Sequence, residues 1–107
     1  MHDKQVVFLS GKITNDPGYR AKFNDAQRRL ESKGRVVLNP AWMPAGLFND
    51  DYMRMCLAMI DTADLVVFLP DWEESPGARL EKQYCDYTLK AYCDLDLALA
   101  EWEEIDK

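Results

Sequence analysis

Histidine is nearly absent from this sequence. The one copy, His2, sits beside the first residue, at an end expected to fray. A Ser-His-Asp triad and a histidine-held metal are therefore excluded. Cysteine is scarce as well. Cys56, Cys85 and Cys93 are odd in number and contain no C-x-x-C pair, which indicates neither a disulfide framework nor a zinc site. A reducing cytoplasm is the expected setting, with no metal and no cofactor. Long apolar runs are missing too. The longest, Leu65 to Pro70, is far too short to span a bilayer, so no membrane partner is expected. Met1 to Lys4 lead straight into a strand-like segment without a signal-peptide core. Net positive charge is also lacking. At −6 the chain is unsuited to wrapping a nucleic-acid polymer, which needs a basic face to displace counterions. A single phosphate needs only local donors and stays compatible with that charge. There is no Walker loop, no G-x-G-x-x-G fingerprint, no linker, no low-complexity tract and no repeat. One domain over residues 1–107 is expected.

What is present reads as a globular α/β chain, with 48% apolar and 30% charged residues over 107 positions. Gln5 to Ser10 is a continuous apolar run, as for a strand covered on both faces. Asp16-Pro17 is a helix-start signal. Tyr19, Phe23, Ala26 and Leu30 then recur at helical spacing, and Gly34 stops the helix. Arg35 to Leu38 predicts a second strand. Trp42 to Phe48 predicts a loop. Asn49 or Asp50 can cap a second helix running to about Thr62. That helix is apolar on more than one side: Met53, Cys56, Leu57 and Ile60 on one stripe, Tyr52, Met55 and Met59 on another. Ala63 to Leu69 predicts a buried third strand. Ser75-Pro76 opens a third helix, with Leu80, Tyr84, Tyr87 and Ala91 as its inward stripe. Tyr92 to Ala98 fits either an edge strand or a helix, and a helical tail is expected from Glu101. The alternation predicts a three-layer α/β fold on a short parallel sheet, of the Rossmann or flavodoxin type.

In such sheets ligands bind beyond the carboxyl ends of the strands. That rule selects Ser10-Gly11-Lys12, Asn39-Pro40-Ala41-Trp42, Pro70-Asp71-Trp72 and the stretch from Ser75 to Glu81. Backbone N–H groups at the start of the third helix, with the Ser75 hydroxyl and bare Gly77, can hold an anion. Ser75 can equally be only a cap. Glu81 follows about one and a half turns later. It is either a surface acid or a carboxylate able to act at an anomeric carbon. Ser10-Gly11 is a tight turn or a point of close ligand approach. Lys12 is a solvated lysine or a phosphate contact. Trp42 and Trp72 either close the edge of the core or stack on a base. Asp71 is a loop acid or a contact to a sugar hydroxyl.

Six ordered segments carry a resemblance over about residues 5 to 90: F-L-S-G-K-I-T, Y-R-x-x-F-N, V-V-L-N-P-A, D-Y-M-R-M-C-L-A-M-I, A-D-L-V-V-F-L-P-D-W and S-P-G-A-R-L-E-K-Q-Y. Together they resemble a small phage and bacterial family akin to the nucleoside 2-deoxyribosyltransferases. The resemblance implies the fold of those enzymes. It also implies either sugar transfer between bases or hydrolysis of the N-glycosidic bond of deoxynucleoside monophosphates. It makes Glu81 the nucleophile, as the last residue of a D/S-x-G-x-x-x-E motif spelled Ser75-x-Gly77-x-x-x-Glu81. Serine in first place is similar to the monophosphate hydrolases. Ser10-Gly11 matches the turn that lines the ribose and phosphate site. The chain departs from the pattern at two places. Cys56 stands where the related enzymes carry an aspartate, eight residues before the acid matching Asp64, and Lys12 stands in place of a proline.

The expected function is binding of a nucleotide or nucleoside, with N-glycosidase activity through Glu81. The alternative is a non-catalytic phage-type protein that binds and sequesters a nucleotide signal. Cys56 in place of the acid motivates that alternative. A scaffold module is a third reading, from the broadly apolar second helix and the acidic tail. The same helix predicts a homo-oligomer.

Overall fold

The first strand, β1 (Val6–Ser10), is buried at all five positions. Its covering on both faces follows from its place in the sheet. The computed structural model describes residues 2–105, leaving aside the side chains of 101–105. The strands β2 (Val36–Leu38), β3 (Leu65–Phe68) and β4 (Tyr92–Asp94) join β1 in one parallel sheet of order β2-β1-β3-β4. Val7 lies opposite both Val37 and Leu65, and Ser10 lies opposite Phe68.

Alternation along the strands sorts two cores. Val7, Leu9, Val67 and Leu69 face one way. They pack with Phe23, Ala26 and Leu30 of helix α1 (Tyr19–Glu31) and with Leu95, Ala98 and Leu99 of α4 (Leu95–Ile105). Val6, Phe8, Val66 and Phe68 face the other way. They meet Cys56 and Ile60 of α2 (Asn49–Thr62) and Cys85 of α3 (Pro76–Thr88). The result is the three-layer α/β fold the sequence predicts. Among the described residues no helix is long and apolar enough to cross a membrane.

Several local expectations need correction. α1 begins at Tyr19 rather than at Asp16-Pro17, because the Asp16 carboxylate accepts the Gly18 N–H (3.0 Å) and closes a turn before the helix. At the start of α2 the cap position is Phe48, and Asp51 reaches back to accept the Phe48 N–H at 3.1 Å. The inward face of α3 is Ala78, Glu81 and Cys85, while Leu80 and Tyr87 are exposed. Helix α3 lies on the sheet through its small side chains. The ambiguous stretch after Ala91 divides at Asp94, whose side chain accepts the Leu97 N–H at 2.8 Å; strand lies before it and helix after it. His2 is held rather than frayed. Its Nδ1 lies 3.0 Å from Asp64 Oδ2, and the same oxygen accepts the Val6 N–H at 2.9 Å. That tie sits at the amino end of the sheet.

Candidate functional site

From β1 the chain turns one way to β2 and later the other way to β3, so a crevice opens at the carboxyl ends of these strands. A cleft of about 1010 Å³ occupies it. Its floor is Ser10, Gly11 and Lys12. One wall is the start of α3, with Ser75, Gly77 and Glu81. The facing wall is the first half of α2, with Met53, Cys56 and Leu57, and a side is closed by Pro40, Ala41 and Met43.

Parity brings the central group together. Ser10 is even-numbered, so its side chain emerges on the α2/α3 face, one step beyond Phe8. There its hydroxyl donates to Glu81 Oε1 at 2.6 Å, and both residues are buried. The Cys56 thiol, from α2, shares a hydrogen bond with the same carboxyl. Burial pushes Glu81 up to about 7, against the hydrogen bonds from Ser10 and Cys56, which favour the ionised form. Burial and the neighbouring Glu81 charge hold the Cys56 thiol far above its ordinary range. Cys85 is likewise pushed up to about 11, first by burial and then by Glu81. Neither thiol is a nucleophile or a proton source near neutral pH.

At the start of α3, Ser75 accepts the Ala78 N–H at 3.1 Å and Pro76 occupies the first helical position, as the cap-plus-proline signal predicts. The Ser75 hydroxyl proton is still free to donate. Lys12 reaches the Glu74 carboxylate at 3.5 Å, at the rim. Arg54 also lines the cleft and pairs with Asp50 and Asp51 on the outer face of α2.

Six of the residues singled out from the sequence therefore share one cleft: Ser10, Gly11, Lys12, Ser75, Gly77 and Glu81. Four others lie outside its lining. Asn39 is buried beneath it. Its amide donates to Gln27 Oε1 at 2.9 Å and its carbonyl accepts the Ala41 N–H at 2.8 Å. Trp42 is 71% exposed, with its indole N–H 3.4 Å from Gln27 Oε1. Trp72 packs at 5.4 Å from Phe68, under the Lys82 ammonium. Asp71 accepts the Lys12 N–H at 3.1 Å and pairs with Lys22, which holds the loops in place. Sequence reasoning missed Tyr19, Tyr52, Met53 and Leu57 as lining residues. For the last two a signal existed. Met53 and Leu57 belong to the helical stripe that also carries Cys56 and Ile60; those two are buried in the core, while Met53 and Leu57 are left to line the cleft.

A family model described as a domain of unknown function (DUF4406) matches residues 5–104. The chain belongs to the DUF4406 family. No curated protein sequence matches it. A solved structure, a 2-desoxiribosyltransferase from Leishmania mexicana, is similar with a TM-score of 0.68 over 84% of this DUF4406 chain, at 17% identity. The likeness covers 63% of that enzyme's chain, and it establishes a shared fold.

Proposed function

We propose that this protein binds a nucleoside or nucleotide in the cleft, with the sugar against Glu81 and any phosphate at the start of α3. One observation carries the reading. Glu81 is a carboxyl kept at 6% exposure, held by Ser10, at the crevice where this fold takes its ligands. A buried acid is costly and is rarely kept without a task. Ser75, the bare Gly77 turn and Lys12 supply donors for one phosphate. The apolar wall of Met43, Met53 and Leu57 suits the face of a base. The similarity in fold to a deoxyribosyltransferase agrees with this reading.

A thermal-shift panel of deoxynucleosides and their mono- and triphosphates tests it. A rise in Tm with at least one member, lost in Ser75→Ala or Glu81→Ala, supports the assignment. No rise with any of them removes it.

N-glycosidic cleavage is the second reading, favoured by the Glu81 position. A Glu81 oxygen would bond to C1′ while the C1′–N bond breaks and its electron pair leaves with the base. Solvent would protonate the base, and water would then hydrolyse the sugar ester. Against efficient turnover stands Cys56, whose thiol keeps its proton where a departing base needs one. Release of free base from deoxynucleoside monophosphates, absent in Glu81→Ala, would establish cleavage. Intact nucleotide recovered from the denatured protein, with no turnover, would establish sequestration. Trp42 (71% exposed) and Phe48 (79% exposed) support the proposal of a homo-oligomer. A monomeric mass by light scattering at micromolar concentration would remove it.

A further inference from the structure

Ser10 is the least exposed polar residue of the described chain, at 1%. Its backbone is held by β3, two residues beyond the last pair that β1 makes with β2, Phe8 with Leu38. Its carbonyl accepts the Leu69 N–H at 2.8 Å, and its Cα partner in β3 is Phe68. The hydroxyl has one proton to give, and it goes to Glu81 Oε1 at 2.6 Å. Glu81 stands on α3, in a different layer, so this bond ties the carboxyl end of a central strand to the carboxyl that faces the cleft.

We propose that Ser10 is the positioning residue for Glu81: its hydroxyl fixes one carboxyl oxygen and so sets the charge that the cleft presents to a ligand. The proposal rests on the reading of the cleft as a nucleotide site and adds a control on it. The surroundings leave Ser10 as the strongest polar partner. From α2 the facing group is the Cys56 thiol, and from α3 it is Cys85. Beside Ser10, β1 and β3 present Phe8, Val66 and Phe68. The charged groups of the cleft are engaged at its rim, Lys12 with Glu74 and Arg54 with Asp50. With Glu81 ionised, a phosphate entering the cleft meets a negative charge. With Glu81 neutral, the carboxylates left in the cleft lining are Glu74 and Asp50, each paired with a cation at the rim. Ser10 stabilises the ionised form, because a hydroxyl donating to a carboxylate binds it better than it binds the acid.

Carboxyl carbon-13 NMR of the ligand-free protein tests this directly, with the Glu81 signal assigned by its loss in Glu81→Gln. In Ser10→Ala the Glu81 midpoint should rise by roughly one to two pH units, the worth of a hydrogen bond to a charged group. Ser10→Thr keeps the hydroxyl and should keep the midpoint. If Ser10→Ala does not fold, Ser10→Cys, with its weak donor, reads the same upward shift. The pH at which affinity for a deoxynucleoside monophosphate falls should move with the midpoint. An unmoved Glu81 midpoint in the folded variants overturns the role of Ser10, whatever the cleft binds. A nucleotide panel with no binding overturns the nucleotide reading and leaves the titration result standing.

Discussion

Gly11 and Leu69 approach so closely where the chain leaves β1 and β3 that a Cβ on Gly11 would lie 3.0 Å from the Leu69 Cβ. Asp71 Oδ1 would be 3.2 Å away on the other side. Leu69 is buried and cannot give way. Gly11→Ala should therefore cost roughly 1–3 kcal/mol by overpacking, seen as a lower urea midpoint. Gly77 differs. A Cβ there would meet the Met53 Cε at 3.6 Å and the Ser75 Oγ at 3.8 Å, both ordinary contacts. Gly77→Ala should leave stability unchanged or raise it by up to about 1 kcal/mol. If a ligand needs the bare turn, nucleotide affinity should fall at least tenfold in the same variant. Equal affinity would mean that nothing in the cleft requires glycine.

Glu81 makes stability depend on pH. Its value rises from an ordinary 4.5 to about 7 on folding, so the native state holds a proton that the unfolded state releases. The resulting stability is complete below pH 4.5 and is lost as pH rises through about 7. Between pH 5 and 8 the protein should lose roughly 2–3 kcal/mol from this group. Glu81→Gln should flatten that slope. Urea denaturation at the two pH values checks it, and parallel slopes for wild type and variant would show that Glu81 is not the group responsible.

Lys22 ties three segments together. Its ammonium donates to Asp16 Oδ2 at 2.6 Å, to the Lys12 carbonyl at 2.7 Å and to Asp71. Burial opposes its charge, yet the bonds to Asp16 and Asp71 outweigh burial and hold its pKa above the ordinary value. Lys22→Ala leaves two carboxylates facing each other without a cation. It should cost roughly 1–3 kcal/mol and speed amide exchange across residues 11 to 18, the floor and rim of the cleft. Unchanged exchange there would show that the loop is held by other contacts.

Asn39 separates scaffold from site. It lies under the cleft and bonds Gln27 and the turn at Ala41. Asn39→Ala should lower stability by roughly 1–3 kcal/mol and leave nucleotide affinity within about twofold. A selective loss of affinity would return Asn39 to the binding set.

The layers and the parallel sheet were legible because strand and helix periods are strong signals. QVVFLS and ADLVVFL show no alternation, as strands covered on both faces should not, and α1 repeats Phe23, Ala26 and Leu30. The face of α3 was not legible. A hydrophobic stripe points to Leu80 and Tyr87, while the helix lies on the sheet through Ala78, Glu81 and Cys85. A buried acid defeats any reading that sorts residues by polarity. The tryptophans stayed open between core edge and base for another reason. Position after a strand places a backbone, and the rotamer then decides whether the indole faces the crevice, the core at Phe68 or solvent. Ser10 and Glu81 were both singled out, yet their contact across 71 positions was visible only once the pleat and the crossover had been built.

Cys56 offers the sharpest test of chemistry. It is 7% exposed, stands on α2 and is hydrogen-bonded to the Glu81 carboxyl. Cys56→Asp would set a second carboxyl beside the first with little change in volume. Two carboxyls in one buried site cannot both ionise easily, so one keeps its proton near neutral pH while the other is charged. That division supplies what the thiol does not, a proton donor for a departing base beside a carboxylate at the sugar. The cost is desolvation of a second acid, and the variant should be less stable than the parent by a few kcal/mol. If a missing acid is what limits cleavage, base release from deoxynucleoside monophosphates should rise at least tenfold over wild type. It should vanish in the double variant with Glu81→Ala. Bound nucleotide with base release no faster than wild type would mean that the cleft holds its ligand in a pose where Glu81 does not meet C1′, and the protein is then a binder by geometry rather than for want of an acid.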